Sequence, residues 1–381
     1  MALDTFQQVF CLSMEICSAS GAPGTVESLE APLTTNFAKL FDNTNFAPGW
    51  ELVWGPVVFQ SLYSDLVDQA TAVCYNAAAG YYVVPIAATS PVSPFMVLIE
   101  DGAILPPQYM RPNPIAGAGK LSYGNYVALQ VLLNLTSNGQ TLGQYLSGVA
   151  SSSNNLVICG HSLGGGLTPL LAYALYPQGT KTKNSGWQNV YTYPTAGPST
   201  ADATFQTAFN SAYPVVQGSG YAMWNANQYN GRDIVPCAWS ISTDGPNLNQ
   251  ITWSYTDWDN SAMFKTGLVV GGEISALQLI AINFAAGVNG SNPYVQTNNN
   301  LLWTEAQQTV PLNSNDDLVT EILYQHITAY TDQFGVSSLF PPSVMMQRIG
   351  PPLLPLVRGV AGTGAKLLAL QSEIAAGQGR A

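Results

Sequence analysis

The chain has 381 residues, 47% of them hydrophobic and only 9% charged, and its 11 basic and 22 acidic side chains leave a formal net charge of −11. That length supplies a substantial core for one large domain or two, and the apolar content excludes a disordered linker protein. An isoelectric point near 4.4 excludes nucleic acid as a partner, and two histidines with five cysteines lacking a C-x-x-C pair give no zinc-site pattern.

In chain order, Met1 to Ser20 carries Asp4 and Glu15 and has no basic segment before an apolar one, so it does not read as an export signal. Tyr81 to Thr89 is an aromatic and β-branched run, a strand whose Pro85 points to a sheet edge or an irregular end. The Pro-rich segment from Asp101 to Ala118 reads as a long covering loop. Tyr126–Leu135 and Leu142–Val149 have helical patterning, and the polar loop Ser151–Asn155 closes the second.

Between Lys120 and Lys181 no residue is charged, which places the centre of the core there. Within it Leu156–Cys159 is an apolar run of strand length and Leu167–Tyr176 has helical composition, so strand, tight turn and helix follow one another. Val190–Tyr193 and Tyr221–Asn225 are predicted as further strands, each far enough from its predecessor for a crossover helix. A mainly parallel sheet with helices on both faces follows, an α/β class. Residues 240–320, rich in Asn, Trp and Thr, break this rhythm and read as an insertion. Its apolar stretch Ile274–Val288 falls short of the ~20 residues a membrane span needs. From Phe340 a Pro-rich tail leads to a predicted terminal helix over Ala365–Ala375.

Gly160-His161-Ser162-Leu163-Gly164 matches G-x-S-x-G in the context that gives the pattern meaning, a strand before it and a helix after it. Such a turn strains the backbone at the serine and needs glycine two residues to either side, with Gly165 and Gly166 extending the clearance. The helix start aims its unpaired N–H groups at an oxyanion forming near Ser162. A serine hydroxyl needs a base, and two histidines are available. His161 adjoins the serine in the turn and projects away from it, so His326 is the expected base. The acid is expected between Ser162 and His326, where ten carboxylates lie, from Asp202 to Glu321. Asp233 follows the predicted strand ending near Asn225, at the carboxyl end of the sheet, and is preferred; Asp202 is the alternative.

These residues resemble the class 3 lipases, the fungal-type triacylglycerol lipase family. Gly160–Gly165 looks like that family's nucleophile elbow, Gly231-Arg232-Asp233-Ile234-Val235-Pro236 is similar to its acid motif, and His326 before Tyr330 resembles its histidine segment. Tyr193–Pro198 with Phe205 looks like the segment after the elbow helix. The resemblance implies an α/β-hydrolase fold in a single domain over 1–381, with the hydrolase-like core at about 53–330, the insertion at 240–320 and a C-terminal extension at 340–381. It implies an ester hydrolase of the triacylglycerol lipase type, acting on lipid esters without metal or organic cofactor, with a short-chain carboxylesterase and a silent binding protein as alternatives. It also implies an oxyanion hole formed by Leu163 and by Thr89, although the chain has Ala88-Thr89 where the family usually has Gly and then Ser or Thr. Two segments could supply the lid the family implies, Gly102–Ala118 and Ile274–Val288, and the first occupies the family's lid position. Scarce charge fits a secreted protein, but the compartment, the oligomeric state and any disulfides stay open at this level.

Overall fold

The computed structural model describes residues 3–19, 23–60, 67–88, 110–180, 186–240, 242–247, 250, 294–303, 309 and 320–341. In chain order the helices are α1 (Thr5–Glu15), α2 (Val26–Phe41), α3 (Tyr123–Asn134), α4 (Leu142–Val149), α5 (Leu163–Leu175) and α6 (Ala203–Ala212). A π turn, Tyr324–Thr328, then runs into α7 (Ala329–Gln333). The strands are β1 (Trp50–Phe59), β2 (Gln69–Asn76), β3 (Tyr81–Ile86), β4 (Arg111–Pro112), β5 (Lys120–Leu121), β6 (Thr136–Ser137), β7 (Gln140–Thr141), β8 (Asn155–His161), β9 (Asn189–Thr195), β10 (Ala201–Asp202), β11 (Asn227–Asn230), β12 (Tyr294–Val295) and β13 (Asn299–Trp303).

Seven strands form the central sheet in the order β1-β2-β3-β8-β9-β11-β13. The β1–β2 and β2–β3 pairs are antiparallel, and β3, β8, β9, β11 and β13 run parallel. Successive side chains of a strand point to opposite faces, and the parallel strands divide accordingly. Val83, Val157, Cys159 and Tyr193 pack on one face with α1, α2 and the region after His326; Tyr82, Val84, Leu156 and Ile158 pack on the other with α3 to α6. Strands buried on both faces read as continuous apolar runs, the pattern seen at Leu156–Cys159.

The N-terminal helix belongs to this core. Asp4 caps α1 by accepting from Gln7 N–H, in a capping box, and Val9 to Met14 are buried. Phe10 stacks on Phe334 with ring centroids 4.1 Å apart, and Gln7 Nε2 donates to the Phe334 carbonyl at 2.7 Å. The helix therefore buttresses the chain that carries His326.

Three expectations need correction. The strand at Tyr81 is interior, between β2 and β8, and accommodates Pro85 one residue before its end, paired with Cys159. Residues 221–225 form turns with one isolated bridge, Val216 to Trp224; the strand that follows β9 in the sheet is β11. Within the segment read as an insertion, β13 is the last strand of the central sheet, parallel to β11, and Tyr294–Val295 joins a second sheet in the order β12-β10-β5-β4. The expected terminal helix at 365–375 lies outside the described residues. All five cysteines are buried and none forms a disulfide. Among the described residues no helix is long and apolar enough to cross a membrane.

Candidate active site

The turn between β8 and α5 holds Ser162 at φ 59°, ψ −125°, in the left-handed half of backbone space that side chains rarely occupy. Two hydrogen bonds fix it there. Ser162 N–H donates to the Thr195 carbonyl on β9 at 3.0 Å, and the Ser162 carbonyl accepts from Gly166 N–H at 3.0 Å in the first helical turn. Glycine is obligatory around it because of close backbone approach: a Cβ at Gly160 would strike the Gly164 carbonyl, and one at Gly164 would strike the carbonyls of Ile86 and Ala87 on the adjoining strand. The elbow helix runs unbroken through Pro169.

His326 lies in the π turn Tyr324–Thr328. Its Nε2 is 2.8 Å from Ser162 Oγ, and its Nδ1 is 2.8 Å from Asp233 Oδ2. Facing a carboxylate, Nδ1 carries the proton, which leaves Nε2 to accept from the serine hydroxyl. The imidazole is 12% exposed and the Asp233 side chain fully buried, so the serine end of the series is the one open to a substrate.

Asp233 sits three residues beyond β11, and each of its oxygens is occupied. Oδ1 accepts from Val235 N–H at 3.0 Å, and Oδ2 accepts from Tyr330 Oη at 2.8 Å as well as facing His326. Burial, and then the adjacent Asp233 charge, raise the Tyr330 phenol well above its ordinary pKa, which keeps it a donor. A buried carboxylate is tolerated only when so engaged. Asp202, the alternative acid, instead caps α6 by accepting from Phe205 N–H at 2.9 Å.

His161 is buried on the far side of the elbow. Its Nε2 is 2.8 Å from the His326 carbonyl and its Nδ1 is 3.0 Å from Thr195 Oγ1. A carbonyl can only accept, so Nε2 bears the proton. Burial, and then the neighbouring His326, push the His161 pKa well below its ordinary value and keep the ring neutral. His161 thus ties the backbone of His326 to the elbow, a structural role.

Leu163 is the first residue of α5, where N–H groups have no intrahelical partner. Thr89 lies outside the described residues. So do Ile274–Val288 and residues 102–109 of the first expected lid segment; residues 110–118 are described, and Met110 packs there against Trp239 and Tyr294. Sequence reasoning missed Tyr330, Asn230 and Gln325 as neighbours of the site. The one available signal was the four-residue spacing of His326 and Tyr330, which sets two side chains on one helical face. Among the described residues no cluster of His, Cys, Asp and Glu is arranged to hold a metal ion.

Comparison with known proteins adds to this geometry. Residues 112–241, which include the elbow and Asp233, match the family model described as Lipase (class 3). Over that stretch the chain is similar to the class 3 lipases, and the match supports a carboxylic-ester hydrolase. The crystal structure of M37 lipase superposes with a TM-score of 0.65 at 20% identity, covering 92% of this chain and 100% of that one, and shares its α/β-hydrolase fold. The triacylglyceride lipase of Rhizomucor miehei (TM-score 0.40, 18% identity, 64% of this chain and 78% of that one) also matches. So does the lipase of Rhizopus microsporus var. chinensis (TM-score 0.39, 17% identity, 62% and 70%). No curated protein sequence matches this chain.

Proposed function

We propose that this protein is a lipase that cleaves acylglycerol-type esters through an acyl-enzyme on Ser162. Ser162 Oγ attacks the ester carbonyl carbon while His326 Nε2 takes its proton; the tetrahedral adduct collapses as His326 returns that proton to the departing alkoxide. Water, deprotonated by the same imidazole, then attacks the acyl carbon and releases the fatty acid and Ser162. Asp233 holds the Nδ1–H tautomer and stabilises the imidazolium without taking the proton. Leu163 N–H and Thr89 are assigned to the oxyanion, where removal of one donor typically raises the barrier by about 3 kcal/mol.

The observation that carries this reading is the continuous series Ser162 Oγ, His326 and Asp233, with 2.8 Å at each step. Ser162→Ala should lower turnover of an emulsified triacylglycerol by ~10⁴ or more and abolish labelling by a fluorophosphonate probe. Near-native turnover in the folded variant would end the assignment. Nitrophenyl esters of graded chain length, with and without emulsion, test the substrate half: higher kcat/KM on long chains in emulsion supports a lipase, and preference for short soluble esters overturns it in favour of a carboxylesterase.

A further inference from the structure

The helix that presents His326 departs from α geometry at that residue. Within the turn Tyr324–Thr328, Ala329 N–H reaches back five residues to the Tyr324 carbonyl. In an α-helix the same N–H would bond the Gln325 carbonyl, four residues back. The π turn therefore takes from the buried Gln325 carbonyl the Ala329 N–H that α bonding would give it. Asn230 meets it: its Nδ2 donates to the Gln325 carbonyl at 3.0 Å and to Gln325 Oε1 at 2.7 Å.

Asn230 is fully buried and spends every polar group on this junction. Its backbone N–H donates to Tyr330 Oη at 3.0 Å, its carbonyl accepts from Asp233 N–H at 3.0 Å, and its Oδ1 accepts from Arg232 N–H at 3.0 Å. Gln325 and Tyr330, the two residues that Asn230 touches on the helix, are five apart. The Asn230 side chain meets Gln325 and its backbone N–H meets Tyr330; in α spacing five residues turn about 1.4 times round the axis, and the wider π turn brings the two closer to one face.

We infer that Asn230 is a positioning residue that selects the π register of the histidine turn, and through it sets the distance from His326 to Ser162 and Asp233. The inference rests on the reading of Ser162, His326 and Asp233 as the reacting series. With the Asn230 donor gone, the turn gains by returning to α bonding, which rotates His326 relative to Tyr330. Misplacement of a catalytic group by about 1 Å lowers the rate by about 100-fold.

Asn230→Asp isolates the donor, because it keeps the acceptor facing Arg232 N–H and loses only the hydrogens aimed at Gln325. At pH 8 the folded variant should show kcat reduced about 10- to 100-fold with KM within twofold of wild type. The low-field proton resonance of His326 Nδ1–H should shift or broaden. As pH falls, the new carboxyl takes up a proton, regains a donor, and the ratio of variant to wild-type kcat should rise. A ratio near one at every pH, with the resonance unmoved, overturns the inference. Asn230→Ala should show the same loss without recovery at low pH; should it fail to fold, Asn230→Asp decides alone. Ser162→Ala separates the two levels: if it is inactive while Asn230→Asp matches wild type, only the positioning role fails, and if Ser162→Ala stays active, the reacting series itself is wrong.

Discussion

Tyr330 Oη donates at 2.8 Å to Asp233 Oδ2, the same oxygen that faces His326 Nδ1, so the phenol and the imidazole share one acceptor. The phenol also accepts from Asn230 N–H at 3.0 Å, so a single hydroxyl joins the acid loop to the histidine helix.

Tyr330→Phe removes that hydroxyl without opening a large cavity. Asn230 N–H is left unpaired in the interior, an expected stability loss of about 1–3 kcal/mol in urea denaturation. With one donor fewer, Asp233 is less firmly oriented, and kcat should fall about 3- to 30-fold while KM is unchanged. A variant equal to wild type in both respects would show that Asp233 is held by Val235 and His326 alone.

Glycines in this chain divide by what a methyl group would meet. At Gly164 it would enter the carbonyls of Ile86 and Ala87, so Gly164→Ala must push helix and strand apart. The expected loss is about 1–3 kcal/mol, with activity falling as the elbow moves. Gly148, inside α4, has nothing within 4 Å of the same position. Gly148→Ala should therefore gain about 0.5–1 kcal/mol from helix propensity alone. Equal effects of the two substitutions, measured by thermal denaturation, would contradict the packing described.

The contrast between the elbow and its partners explains what the sequence disclosed. Leu156–Cys159, the glycines and the helix beyond are marked by residue types that suit only that backbone, and α4 falls at Leu142–Val149 as patterned because Thr141 caps it. The strand β11 escaped because Asn227-Gln228-Tyr229-Asn230 is polar. Its interior side chains are satisfied by hydrogen bonds, Gln228 Nε2 to the Met223 and Ala226 carbonyls and Asn227 Nδ2 to the Gly197 carbonyl, and a hydrophobic pattern passes over them. Asp233 was still preferred, since its place after a strand survives an error of a few residues in where that strand ends. The π turn left no trace, because it is created by a tertiary contact with Asn230 and not by any local residue preference.

The cysteines allow a compartment-independent test of the interior. All five are buried outside any disulfide, and burial, then the Asp233 charge, pushes the Cys237 thiol up to about 12. A neutral, inaccessible thiol reacts slowly. Ellman's reagent at pH 8 should modify none in the native protein within minutes and all five after unfolding in guanidinium, and reductant should leave the melting temperature unchanged. Rapid native modification would mean that at least one of these sites opens readily.

His161 gives the fold a signed dependence on pH. Its folded-state pKa lies well below the ordinary value, first because it is buried and second because His326 adjoins it. The unfolded chain takes up a proton there below about pH 6.5 while the folded chain does not. The unfolded state then binds more protons, and stability rises with pH through that range and falls on acidification, by at most about 1.4 kcal/mol per pH unit from this group. His161→Gln keeps a hydrogen for the His326 carbonyl and removes the titration. Urea denaturation at pH 7.5 should find wild type the more stable, since its ring fits between Thr195 and His326, and the gap should narrow at pH 5. Parallel stability curves across that interval would mean that His161 is protonated in the native protein. Under the proposed mechanism it would then place a second positive charge against the imidazolium that His326 becomes during turnover.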